Sequence, residues 1–162
     1  MPNNDSLSFC MLFRTLKTHN EADRISSFLK KHYQPGNRDG NWIYPIWEYS
    51  YTHPGFDPPI LDDIGIWEVD GEIVAATLVE TERNDISLAA APGYEVLKPE
   101  MLEYAETVFF AAGSDGSQSL NVFVHEDDDF NGTIGGLGYA HEGKLDRPMS
   151  EIQIPPGYAS PG

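Results

Sequence analysis

The stretch "IGIWEVDGEIVAATLVE", residues 64 to 80, restricts the fold more than any other part of the chain. Its two apolar runs, 64–69 and 72–80, flank Asp70-Gly71, a dipeptide that accepts the positive φ angles of a two-residue hairpin loop. A third run, "ISLAAA" (86–91), follows a second turn at Arg83 to Asp85. The pattern predicts a three-stranded antiparallel meander.

The next stretch, "APGYEVLKPEMLEYAE" (91–106), bends through Pro92-Gly93 and then takes up helical spacing. Pro99 suits the first helical position, and Met101, Leu102, Ala105, Val108, Phe109 and Ala112 recur every three or four residues. They make one buried face of a helix over 99–112, stopped by Gly113. "SLNVFVHE" (119–126) then reads as a strand, parallel to the third strand of the meander because a helix connects the two.

Upstream, "SLSFCMLFRTL" (6–16) is apolar almost throughout, as expected of a strand covered on both faces, with Cys10 as a buried thiol. "THNEADRISSFLKKHY" (18–33) predicts a helix with Asn20 as N-cap and Ile25, Phe28 and Leu29 as its buried stripe. The aromatic segment 41–59 contains Trp42, Trp47, Tyr49, Tyr51 and Phe56, and it admits a short helix ending near His53. That cluster reads as core, or as a lid over the core, ahead of a binding wall. A glycine-rich helix around 127–136, edge strands near 139–142 and 149–154, and a tail complete the chain. The expectation is one domain over residues 1–155, with 156–162 as tail or linker.

Ten Lys and Arg against 26 Asp and Glu give a formal net charge of −16. Such a surface repels nucleic acid and anionic membranes, and it suits either plain solvation or a cationic ligand. With one cysteine, no disulfide framework or multi-cysteine zinc site can form. No apolar run is long enough for a membrane span and no secretory pattern is visible, so a cytoplasmic setting is expected. "HEDDD" (125–129) lacks both the calcium-loop and the zinc-helix spacing, and no Gly-x-Ser-x-Gly elbow, dinucleotide fingerprint or Walker loop occurs.

The order of these elements resembles the GNAT superfamily of acyl-CoA-dependent N-acyltransferases. "NWIYPIWEYSYTHPGFD", "IGIWEVDGEIVAATLVE" and "APGYEVLKPEMLEYAE" are similar to the N-terminal domain of bacterial tandem GNAT proteins, over roughly residues 9 to 155. The resemblance implies an α/β (α+β) fold with a mixed central sheet: an antiparallel meander, a parallel splayed pair and flanking helices. It also implies acetyl-CoA as co-substrate. Its pantetheine arm would lie on Leu88 and Ala90, and its diphosphate on Gly93, Tyr94, Val96 and Leu97, where a helix N-terminus favours an anion.

Two positions differ from the family pattern. The diphosphate loop is "GYEVLKP", without the usual glycines and with Glu95 beside the expected anion, leaving Lys98 as its one nearby cation. Ile134 stands near the place of the family's thiolate-protonating tyrosine, and Tyr139 is its packing aromatic. Glu80 and Glu82, at the end of the central hairpin, are the candidate bases or amine-attracting groups; the alternative is a solvated strand end. His125 with Glu126 is a second candidate pair. Two functions follow: acetyl transfer to a small-molecule amine, or a non-catalytic GNAT-like domain for structure, dimerisation or ligand binding. The expected partner is a small amine, with a homodimer or a second GNAT domain as a further possibility.

Overall fold

A computed structural model of the protein describes residues 10–33, 44–54, 58–80, 82–124 and 129–141. The hairpin at its centre joins β2 (Gly65–Val69) to β3 (Glu72–Val79), with Asp70 and Gly71 at φ of 52° and 82°. Only glycine and short polar residues reach this left-handed region readily, which is why Asp-Gly sits there. β4 (Asp85–Ala90) adds antiparallel to β3, and β1 (Met11–Thr15) adds antiparallel to the far side of β2. The expected meander is present.

A two-stranded hairpin, β5 (Ala111–Ala112) with β6 (Gln118–Ser119), leads into β7 (Asn121–Phe123), which runs parallel to β4. The five-stranded sheet is therefore mixed, in the order β1-β2-β3-β4-β7. Helices cover both faces. On one side α1 (Ala22–Lys31) and α2 (Tyr44–Thr52) bring Ile25, Phe28, Leu29 and Trp47 into a core with Ile66, Ala76, Leu78 and Ala89. On the other, α3 (Lys98–Val108) and α4 (Phe130–Gly136) bring Met101, Leu102, Ala105, Phe130 and Ile134 into a core with Trp67, Ala75, Ile86 and Leu88. Two buried faces explain why the central strands read as continuous apolar runs.

β3 contains a bulge. The register passes from Trp67↔Ala75 to Glu68↔Ile73, leaving Val74 as an extra residue. Val74 and Ala75 consequently share the α3 side, while Ile73 and Ala76 share the α1 side. The extra residue resets the two-residue alternation of the strand.

Several expectations are corrected. Among the described residues β1 is the outermost strand on its side of the sheet, and Met11, Leu12 and Phe13 are exposed instead of covered, as is Cys10 beside them. A 3-10 turn over His19–Glu21 precedes α1, and its N-cap residue is Glu21, with no side-chain cap bond, instead of Asn20. Glu21 is committed elsewhere, to Arg14 at 2.6 Å. The helix expected to reach 112 ends at Val108, and Phe109 turns into the core while Ala112 enters β5. Gly113 lies in the β5–β6 turn, where its N–H bonds to Ser117 C=O.

The expected strand 119–126 is divided between β6 and β7, with Leu120 between them. Residues 139–141 form no strand. Trp42, Phe56, His125, Glu126 and the expected strand 149–154 lie outside the described residues.

Candidate functional site at the parting of two parallel strands

β3 flanks β4 along its whole length, whereas among the described residues β7 pairs with it at Asp85↔Asn121, Ile86↔Val122 and Ser87↔Phe123 alone. Two hydrogen bonds fix which backbone groups of β4 face away from β3. Ala91 N–H donates to Val74 C=O at 2.8 Å and Glu80 N–H to Asp85 C=O at 3.0 Å, so odd-numbered residues of β4 bond to β3. The even-numbered ones turn toward β7, as the 2.8 Å bond from Asn121 N–H to Asn84 C=O also requires. Leu88 and Ala90 thus present their peptide groups on the side where the parallel pairing stops.

The loop beyond them is a turn over residues 91–94, closed by Tyr94 N–H to Ala91 C=O at 2.9 Å. Pro92 and Gly93, at φ 90°, occupy the positions that a type II turn reserves for proline and glycine. A 3-10 turn over Glu95–Leu97 then feeds α3, with Leu97 N–H on Tyr94 C=O at 3.0 Å. Gly93 N–H donates to Glu95 Oε2 at 2.8 Å. The carboxylate two residues ahead thus takes the N–H that the resemblance assigns to a diphosphate.

Of the diphosphate candidates, Gly93, Tyr94 and Leu97 therefore have their N–H groups taken within the chain. Val96 points outward, 80% exposed, and Leu97 packs into the core. Leu88 and Ala90 are only 3% and 4% exposed, in the same buried cluster as Phe130 and Ile134 of α4. Lys98, the expected counter-charge, is turned inward: it is 3% exposed, with Nζ 5.9 Å from the centroid of the Phe130 ring. As folded, these residues do not fit a bound acyl-CoA diphosphate and pantetheine. The Gly93 N–H is already bonded, and Leu88 and Ala90 are already buried.

Glu80 is half-buried and Glu82 is exposed in the turn that follows β3, its carbonyl accepting from Asp85 N–H at 2.9 Å. Glu80 stands opposite Asp85, three residues from Leu88, or about 10 Å along the strand. Contact with a group held at Leu88 would need an intervening water, since direct proton transfer requires about 3 Å. Tyr139 donates its hydroxyl to Glu106 Oε1 at 2.7 Å. Burial, reinforced by that bond and the carboxylate's charge, pushes its phenol well above the ordinary tyrosine range.

The densest charge cluster lies on the α1 face. Glu68 accepts from Arg14 Nε at 2.9 Å and from Arg24 Nη2 at 2.5 Å, and Glu21 accepts from Arg14 Nη2 at 2.6 Å. Arg24 also donates to Gly71 C=O at 2.8 Å, tying α1 to the hairpin loop. The bond from Arg14 lowers the Glu21 carboxyl to about 2 against the cost of burial. Burial pushes Glu68 up, and the bonds and charges of Arg14 and Arg24 outweigh it, leaving Glu68 below the usual carboxylate range. Four groups that neutralise one another serve structure, not proton transfer.

Sequence reasoning missed this cluster, the bulge at Val74 and the Glu95–Gly93 bond. The last had a legible signal: a carboxylate two residues after a Pro-Gly turn is within reach of the glycine N–H. Among the described residues no three His, Cys, Asp or Glu side chains gather to hold a metal, and no helix is long and apolar enough to cross a membrane. No protein-family model and no curated protein matches the chain.

Proposed function

We propose that this is a GNAT-type domain whose acyl-CoA seat is held shut by its own residues, so that it acts as a structural or ligand-binding module and not as an acetyltransferase by itself. The 2.8 Å bond from Gly93 N–H to Glu95 Oε2 carries this reading. A diphosphate would have to displace that carboxylate and then lie beside it, two like charges at a helix entrance that favours one. The covered peptide edges of Leu88 and Ala90 and the inward Lys98 point the same way.

The second reading is acetyl-CoA-dependent N-acetyltransferase activity on a small-molecule amine. The early end of the β4–β7 pairing favours it, because the backbone of Leu88 and Ala90 then lies where an acyl-pantetheine arm is expected from the resemblance. The −16 charge suits a cationic amine, and a water between the amine and Glu80 would carry the amine's proton to the carboxylate.

Calorimetric titration with acetyl-CoA separates the two. The closed-seat reading expects no heat and no thermal shift with the native chain at millimolar ligand, and measurable binding by Glu95→Gln, which removes the charge. Micromolar binding by the native chain would overturn it. If Glu95→Gln gains nothing, the carboxylate is not what closes the seat.

A further inference from the structure

α4 lies on the α3 side of the sheet and is short, seven residues against ten in α1 and eleven in α3. A helix of fewer than about 12 residues does not hold its shape alone in water, so α4 depends on its packing. Phe130 and Ile134, one turn apart, are its buried residues, whereas Gly132, Thr133, Gly135 and Gly136 are exposed. Its N-cap residue, Asp129, makes no side-chain cap bond among the described residues. Just past the helix, Tyr139 is tied to Glu106 at 2.7 Å.

Nothing among the described residues requires glycine at three of these positions. A Cβ added at Gly132, Gly135 or Gly136 meets no described atom within 4 Å, and none of the three has the positive φ of Gly138, at 95°. Alanine fits at each, and each glycine lowers the helix equilibrium about threefold to fivefold relative to alanine. What the glycines contribute is a helix that is easily undone. Against it lies a side chain that is rarely buried: Lys98 is 3% exposed, with Nζ 5.9 Å from the Phe130 ring centroid. Phe130 and Ile134 also share their buried cluster with Leu88 and Ala90.

We propose that α4 is a plug that detaches locally while the sheet and α3 stay folded, returning the Lys98 amine to water and uncovering the side chains of Leu88 and Ala90. A segment held by few buried apolar side chains opens well before the whole fold does. The plug governs access to residues that the acyl-CoA resemblance singles out, yet it does not depend on which ligand they take. Any ligand entering there has its affinity scaled down by the fraction of molecules in which α4 is open.

Acetylation of the full chain by a water-soluble N-hydroxysuccinimide ester, followed by peptide mass spectrometry, reads the opening at Lys98. Amide hydrogen exchange reads it over residues 130–139. The ester is kept dilute enough for the Lys98 rate to stay proportional to it. Lys98 should react about tenfold or more slowly than the exposed Lys31, at a rate that stays flat as urea rises below the unfolding transition. Exchange in β3 should climb with urea over the same range, because global unfolding exposes far more surface than the release of α4. Gly132→Ala and Gly135→Ala should each slow both Lys98 acetylation and α4 exchange about threefold to fivefold. A Lys98 rate that climbs with urea as β3 exchange does would show that the amine is reached by global unfolding, and would overturn the proposal. So would a Lys98 rate unchanged in both alanine variants, which would mean that the side chain swings out by itself, or one equal to that of Lys31.

Discussion

Glu68→Gln removes one charge from the centre of the Arg14–Glu21–Arg24–Glu68 cluster while preserving shape. Glu68 has 8% side-chain exposure and accepts from both guanidinium groups, so its loss leaves Arg14 and Arg24 sharing Glu21. Charges about 4 Å apart at an effective dielectric of about 20 attract by about 4 kcal/mol per pair. Arg24 is 37% exposed, so its share is screened, and removing Glu68 also relieves its desolvation and its repulsion from Glu21. The net loss should be about 2–4 kcal/mol, lowering the melting temperature by about 5–12 °C in a chain of this size.

Urea unfolding at neutral pH should show a lower midpoint with an unchanged slope. The pH dependence carries the sign. The folded-state pKa of Glu21 is depressed from 4.5 to about 2, and that of Glu68 lies below its ordinary value. Their contribution is therefore complete above about 4.5 and is lost as the pH falls toward about 2. The difference between the native chain and Glu68→Gln should shrink over that window. A variant as stable as the native chain at neutral pH, or a difference independent of pH, would refute the reasoning.

Gly65→Ala places a Cβ 2.7 Å from the Tyr104 ring and 3.0 Å from the Phe13 ring, and thermal unfolding should show a loss of about 1–3 kcal/mol. Thr77→Val removes the buried Oγ1 that accepts Gly65 N–H at 2.9 Å, and chemical denaturation should show a loss of about 1–3 kcal/mol.

Local chemistry made much of this fold legible. Asp70-Gly71 and its flanking runs announced the meander, because a two-residue loop between strands admits few residue types. Pro99 marked the start of α3, and Ile25, Phe28 and Leu29 marked the buried face of α1. Where the reading failed, the deciding contacts were distant in sequence. Phe109 and Ala112 fit the helical period, but Phe109 is drawn into the core against Tyr104, at a centroid distance of 6.3 Å, so the helix ends before it. Asn20 had the right chemistry for a cap. Yet Glu21, held by Arg14 across seven residues, fixed the start instead.

A mixed sheet with a parallel crossover, a very acidic chain, and Glu95 beside the loop that the resemblance gives to a diphosphate were all legible before folding. These follow from turn stereochemistry, apolar periodicity and charge count, all of them properties of neighbouring residues. Three features came from folding: β1 is outermost among the described strands, Lys98 turns inward, and Glu95 occupies the Gly93 N–H. The first two depend on which segments pack beside them, and the third on a turn geometry that brings a carboxylate within 2.8 Å of the glycine nitrogen. Whether an apolar strand is covered, or a lysine faces solvent, is set by neighbours that the chain reaches only when folded.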